Sequence, residues 1–267
     1  MRTANLKTGF VVTLMAVCLV GGTAMAQVYT DPVGFVKVDV VKNGLTMVSV
    51  PLDAADKRLN GDPGCLGDMI KENLSPGPSG AEGDGVYKWD PTALPSGAYK
   101  TAFYMDAPQT SLDRTWFDPD AGAVSDLAFN AGEALWVQRY EKGDPTELIT
   151  FLGWVPMELT KSVTFVNGLT MFAYPFPVTV ALNDTKLNEV ATKGPSSAEA
   201  DSIYFWNAAA TPPAYAVAFL FEGAPFDGKW FDPDLGVLST LSFSPGAAMW
   251  FSRYPANTIT WQVTRPY

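Results

Sequence analysis

Four aspartates stand in a repeated pattern that hard-cation chemistry could use. Asp118-Pro119-Asp120 is followed by Gly122, and Asp232-Pro233-Asp234 by Gly236. Two carboxylates two residues apart can converge on one ion, and Ca²⁺ takes roughly six to eight oxygen ligands. Against that reading, an EF-hand-like loop would carry its third oxygen ligand where Gly122 and Gly236 stand. The same residues also spell a turn, with Asp first, Pro second, then Asp and a nearby glycine to relieve the backbone. The turn is the preferred reading, and Asp118, Asp120, Asp232 and Asp234 are the candidate calcium ligands.

A second chemistry needs only carboxylates. Glycoside hydrolysis uses a pair of them, and Asp118 or Asp120 with Glu82 or Glu133 are the candidates. Glu133, however, is answered by Ala247 in the second half of the chain. Neither half isolates a carboxylate among aromatics, as an acid of raised pKa requires. A hydrolase therefore ranks third.

Aromatic platforms are the third possibility. Trp89, Trp116 and Trp136 recur as Trp206, Trp230 and Trp250, with Tyr87/Tyr204, Phe117/Phe231 and Tyr140/Tyr254 alongside. Exposed, these six tryptophans would stack on sugar rings. On strands, aromatics more often fill the core, each burying roughly 150–250 Å². Their recurrence in both halves favours a role in the fold. Arg139 and Arg253, each beside a tyrosine, are expected to brace the interior, stacked or paired with the Asp turns.

Several chemistries are excluded by composition. The chain has no histidine, which removes Ser-His-Asp and Cys-His catalysis, His-ligated zinc and the common base near neutral pH. Residues 1–26 read as a secretory signal peptide: Arg2 and Lys7, an apolar run over 10–20, then Ala24-Met25-Ala26 before Gln27. That run is shorter than the roughly 20 residues a spanning helix needs. Without the leader the net charge is −12, a poor match to phosphate backbones or anionic membranes. No nucleic-acid partner and no membrane span after cleavage are expected. Only Cys65 remains beyond the leader, so an intramolecular disulfide is ruled out, and the thiol is either buried or pairs between chains.

The elements that must position these residues come as a repeat. Residues 116–140, WFDPDAGAVSDLAFNAGEALWVQRY, align without a gap to 230–254, WFDPDLGVLSTLSFSPGAAMWFSRY, with 14 of 25 positions identical. Upstream, GPSGAEGD at 77–84 is answered by GPSSAEAD at 194–201, and NGLTM at 43–47 recurs at 167–171. A duplication with its boundary near 153–161 follows.

Most segments carry the strand signature. Val36, Val38 and Val40 alternate with polar residues, while 45–50 and 169–174 are rich in β-branched and apolar residues before Pro51 and Pro175. Short helical turns are expected at 66–74 and 182–191, and 21 prolines with 23 glycines disfavour long helices. Ile259, Trp261 and Val263 alternate like the closing strand of an outer-membrane barrel, but Arg265 and Pro266 interrupt the pattern.

Tyr29-Thr30-Asp31-Pro32-Val33-Gly34-Phe35-Val36 resembles the Asp-Pro-Val-Gly-Tyr-Val opening of a family of secreted β-rich proteins of verrucomicrobial-type bacteria. Asp84 to Trp89 and Asp201 to Trp206 resemble its Asp-x-Ile-x-x-Trp strand, and Gly132 to Trp136 and Gly246 to Trp250 its strand that runs from a glycine to a tryptophan. The chain departs from it in Phe35, where tyrosine is usual, and in Leu135 and Met249 before the tryptophans. The resemblance implies secretion and β architecture, and no catalytic residue.

The expectation is an all-β chain with minor short helices, made of tandem β-sandwich-like modules at 27–155 and 156–267. These either stand as two sandwiches or share one pseudo-symmetric core. The leading function is a non-enzymatic structural or adhesive protein, secreted, periplasmic or at the cell surface. A glycan-binding module using surface aromatics follows. No cofactor is expected beyond the calcium option, and the expected partners are further copies of the chain or a surface glycan.

Overall fold

The computed structural model describes residues 32–53, 64–66, 70, 74–93, 97–140, 146–255 and 257–267. Among the described residues twenty short strands make up nearly all of the regular structure, ten from each copy of the repeat. Copy 1 runs β1 Val33–Val41, β2 Leu45–Ser49, β3 Gly64–Cys65, β4 Gly85–Asp90 and β5 Ala98–Tyr104. It continues with β6 Trp116–Asp118, β7 Ala123–Val124, β8 Ala128–Phe129, β9 Ala134–Gln138 and β10 Thr146–Trp154. Copy 2 repeats the order as β11 Thr160–Phe165, β12 Gly168–Phe172, β13 Val180–Ala181, β14 Ser202–Asn207 and β15 Ala214–Leu220. It ends with β16 Trp230–Asp232, β17 Val237–Leu238, β18 Ser242–Phe243, β19 Met249–Arg253 and β20 Ile259–Thr264.

The pairing is the same in both copies. Each has a six-stranded antiparallel sheet, β2-β9-β4-β5-β6-β7 in one and β12-β19-β14-β15-β16-β17 in the other. Each adds a ribbon joining its first and last strands, β1 with β10 and β11 with β20, and a short pair, β3 with β8 and β13 with β18. The fold is all-β, as the periodicity predicted.

Alternation explains the packing. In β11, Val163 and Phe165 point inward while Thr160, Ser162 and Thr164 face out, as successive side chains of a strand must. Each copy has its own core. Val40, Val86, Leu135, Val137, Ile149 and Phe151 centre the first. Phe165, Phe172, Ile203, Met249, Phe251 and Trp261 centre the second. A third cluster draws on both copies and joins them, and residues 32–267 form one compact unit. The two alternatives for the core thus coexist: separate interiors and a shared seam.

The short helical turns expected at 182–191 are present, as two 3-10 turns, Leu182–Asp184 and Leu187–Glu189. Lys186 between them adopts a left-handed backbone with φ 59, which a right-handed helix cannot absorb. In the stretch 66–74, Leu66 and Ile70 are buried and joined by the Ile70 N–H to the Leu66 carbonyl at 3.0 Å. Residues 67–69 and 71–73 lie outside the described residues.

Candidate functional site

The six tryptophans occupy two kinds of place. Trp116 and Trp230 are buried within their own copies, in the first and second cores respectively. Trp136 and Trp250 are buried in the third cluster, where partly buried Trp89 and Trp206 pack on them. Burial leaves the four core rings no face for a sugar, so stacking by Trp116, Trp136, Trp230 and Trp250 does not fit this structure.

The seam has two-fold character, in which each contact is returned by its counterpart. Trp89 meets Trp250 edge-to-face with centroids 5.7 Å apart, and Trp206 meets Trp136 in the same way at 5.8 Å. The Trp89 indole N–H donates to the Leu169 carbonyl at 2.8 Å, and the Trp206 N–H to the Leu45 carbonyl at 3.0 Å. Main-chain bonds are exchanged too: Ser49 N–H to the Gly246 carbonyl, and Ala173 N–H to the Gly132 carbonyl, both at 2.9 Å. Burial raises the Tyr99 and Tyr215 hydroxyls above their ordinary pKa, against hydrogen bonds to Trp136 and Trp250 respectively.

Both Asp-Pro-Asp segments are turns. The Oδ1 atom of Asp118 accepts the backbone N–H groups of Asp120 at 2.8 Å and Ala121 at 3.0 Å. Asp232 does the same for Asp234 at 2.9 Å and Leu235 at 3.0 Å. Gly122 and Gly236 close the turns with φ of 66° and 69°, a region glycine enters without penalty. Asp120 and Asp234 stand exposed. Among the described residues no group of three or more Asp, Glu, Cys or His side chains gathers as metal ligands.

Arg139 and Arg253 do brace the interior, but not against those turns. Arg139 pairs with buried Asp84 at 3.3 Å, and Arg253 with buried Asp201. Asp84 also accepts the N–H groups of Ser75 at 2.7 Å and Tyr140 at 2.9 Å; Asp201 accepts those of Thr192 and Tyr254, both at 2.8 Å. These carboxylates tie the small-residue loop to the end of the sheet. Burial pushes the Asp84 carboxyl above its ordinary value, opposed by those N–H groups and by Arg139. Burial likewise pulls Arg139 below its ordinary value while Asp84 holds it up. The partners lie 55 and 52 positions apart, so only the recurrence of each Asp in its loop and each Arg in its strand hinted at the pairs.

The remaining acids named for catalysis are engaged locally. Glu82 sits 3.3 Å from the Ser79 hydroxyl, as Glu199 does from Ser196 at 3.4 Å, a turn feature common to both copies. Glu133 pairs with Lys88 at 2.7 Å and has no such twin. Lys88 and Glu133 border a cleft of about 390 Å³ against the β4–β5 hairpin, which no sequence motif announced. The backbone of Cys65 pairs with Ala128 in β3 and β8, and its thiol lies outside the described residues.

The class defined here is a duplicated all-β protein whose copies are locked by a reciprocal aromatic seam. Compared with known protein families, curated proteins and solved structures, the chain matches none. Among the described residues no helix is long and apolar enough to cross a membrane.

Proposed function

We propose that this chain is a non-enzymatic structural or adhesive protein of the cell exterior that associates with further copies of itself through the outward face of its β1–β10 ribbon. The carrying observation is a difference between the copies. Outward on the first ribbon stand Val33 and Phe35, 67% and 66% exposed, followed by Lys37 and Asp39, with Leu148 and Leu152 on the partner strand. Phe35 lies directly opposite Leu152. On the corresponding ribbon of copy 2 the outward residues are Thr160, Ser162 and Thr164, paired with Thr264, Gln262 and Thr260. The second ribbon folds with Thr160 opposite Thr264 where the first has Phe35 opposite Leu152, so the exposed apolar pair is not required by the fold. Contiguous exposed apolar side chains mark contact surfaces, and the leader pattern at 1–26 directs the chain outward.

Sedimentation velocity over a concentration series tests the reading. The protein extending from residue 27 is expected to form larger species as concentration rises, and Phe35→Thr with Leu152→Thr to remain monomeric with an unchanged melting temperature. A wild-type chain that stays monomeric throughout would overturn it.

A further inference from the structure

The cleft beside Lys88 adjoins a second cavity of about 440 Å³, and Pro91 and Glu133 belong to the walls of both. The second cavity lies on the seam, between the 130–133 loop of copy 1 and Lys161, Ser162 and Thr170 of copy 2. Together they make a groove running from the β4–β5 hairpin to β11. Each part lies within the roughly 300–1,000 Å³ usual for ligand sites.

Comparison of the copies separates the residues the fold needs from those it does not. The first cavity is lined by the charged residues Lys88, Asp90, Lys100, Asp126 and Glu133. The equivalent positions of copy 2 hold Phe205, Asn207, Ala216, Thr240 and Ala247. Each charge has been lost or gained, although strand register and the flanking Tyr87/Tyr204 and Trp89/Trp206 are the same. Lys88 stands directly opposite Lys100 across β4 and β5. Like charges in that position destabilise a sheet, and copy 2 avoids them with Phe205 opposite Ala216. Each lysine is offset by a carboxylate of the same cleft, Lys88 by Glu133 and Lys100 by Asp90, and both are kept in one copy only.

Their arrangement leaves hydrogen-bonding capacity at the groove. Lys88 Nζ donates to the Ala128 carbonyl and to Glu133 Oε2, both at 2.7 Å. An ammonium has three donors, so one remains. Glu133 Oε2 also accepts the Asn130 N–H at 2.8 Å, which leaves Oε1 as an acceptor. Asp90 lies 3.4 Å from Lys100 on the same wall.

An independent observation comes from the second cavity. Thr170, 8% exposed, lines it with a buried hydroxyl that has no hydrogen-bond partner. Its counterpart Thr46 accepts the Val41 N–H at 2.9 Å. A buried polar group without a partner is costly unless a ligand or water completes it.

Two lysines interleaved with three carboxylates suit neither a strong anion nor a strong cation. They suit a ligand whose every group both donates and accepts. We propose that this groove binds a neutral saccharide chain through Lys88, Lys100, Asp90, Glu133 and Thr170, with Trp89 as a fixed wall. Trp89 is immobilised by its bond to Leu169 and by Tyr99 at 5.0 Å, so it shapes the groove without reorganising. The site does not rest on self-association: no residue of the outward β1–β10 face lines it.

The test is calorimetric titration of the whole chain from residue 27 with uncharged tetrasaccharides of glucose, xylose and N-acetylglucosamine. It is repeated on the variant Lys88→Phe/Lys100→Ala/Glu133→Ala, which installs the residues of copy 2, and on Thr170→Val. At least one tetrasaccharide is expected to bind, with a loss of about tenfold or more in each variant. The triple variant is expected to keep its melting temperature, since copy 2 folds with that lining. Equal binding by wild type and variants, or no binding of any of the three, overturns the proposal. Binding of an extended peptide library in place of the sugars overturns it too.

Discussion

Trp206 donates its indole N–H to the carbonyl of Leu45 at 3.0 Å across 161 positions of sequence. Trp89 returns the bond to Leu169. An internal duplication has here produced the contact geometry of a symmetric dimer within one chain, with buried Trp136 and Trp250 at its centre.

Because the seam is buried and shared, the two copies are expected to unfold together. Tryptophan fluorescence and far-UV circular dichroism should report one coincident denaturant transition. Trp136→Ala should cost about 3–5 kcal/mol, as large-to-small core changes do, and should separate the transition into two. A single transition in that variant would mean the seam does not couple the copies.

The glycines at the seam and at the turns have positive φ for different reasons. Gly236, with φ 69°, has open space where a Cβ would stand, whereas at Gly246, with φ 90°, a Cβ would lie 2.4 Å from Val38 Cγ2. Gly236→Ala should cost about 1–2 kcal/mol from backbone strain alone. Gly246→Ala should cost more, because the seam must also part. Urea unfolding of both variants compares them, and equal losses would contradict the steric argument.

The Asp201–Arg253 pair predicts an asymmetric double-mutant cycle. Asp201→Asn strands a buried guanidinium and should cost about 3–5 kcal/mol. Asp201→Leu combined with Arg253→Met should recover part of that loss, although the Thr192 and Tyr254 N–H groups remain without their acceptor. A double variant as unstable as the sum of its parts would show that the carboxylate serves those N–H groups more than the arginine.

Asp84 adds a pH dependence of definite sign. Burial holds its carboxyl above the ordinary 3.8, so the folded chain takes up this proton at a pH where the unfolded chain does not. The group's contribution to stability is therefore full below pH 3.8 and is lost as pH rises through its elevated value. The difference in unfolding free energy between wild type and Asp84→Asn, followed from pH 3 upward, should fall in that window and be flat above it. A difference that grows with pH would reverse the assignment.

Calcium binding at the Asp-Pro-Asp turns is tested by melting with Ca²⁺ and with chelator. Asp118 already spends Oδ1 on two backbone N–H groups, so the midpoint is expected to stay where it is. Asp118→Ala, by contrast, should cost about 0.5–2 kcal/mol, the range found when a side-chain cap of backbone N–H groups is removed.

Much of this molecule was legible in one dimension because it was written twice. Recurrence of WFDPD-x-G and of Gly-x-x-x-Trp marked the strands, the turns and the residues the fold needs. Period-two alternation of Val36, Val38 and Val40 in β1 marked which face is buried. Both are local properties, decided by φ and ψ preferences and by side-chain direction along one strand. The short helical turns at 182–191 were legible too, although apolar spacing cannot register that Lys186 takes a left-handed backbone and divides them in two.

Tertiary structure alone decided what each buried face meets. The apolar run 134–137 is buried throughout, but whether Trp136 meets its own copy or Trp206 of the other depends on how two sheets dock. Arg139 found Asp84 and not Asp118 because folding brings the small-residue loop over the end of β9. The groove beside Lys88 is invisible along the chain because its walls come from segments dozens of residues apart. Its charges mattered only once the opposition of Lys88 to Lys100 and the unpartnered hydroxyl of Thr170 were in view.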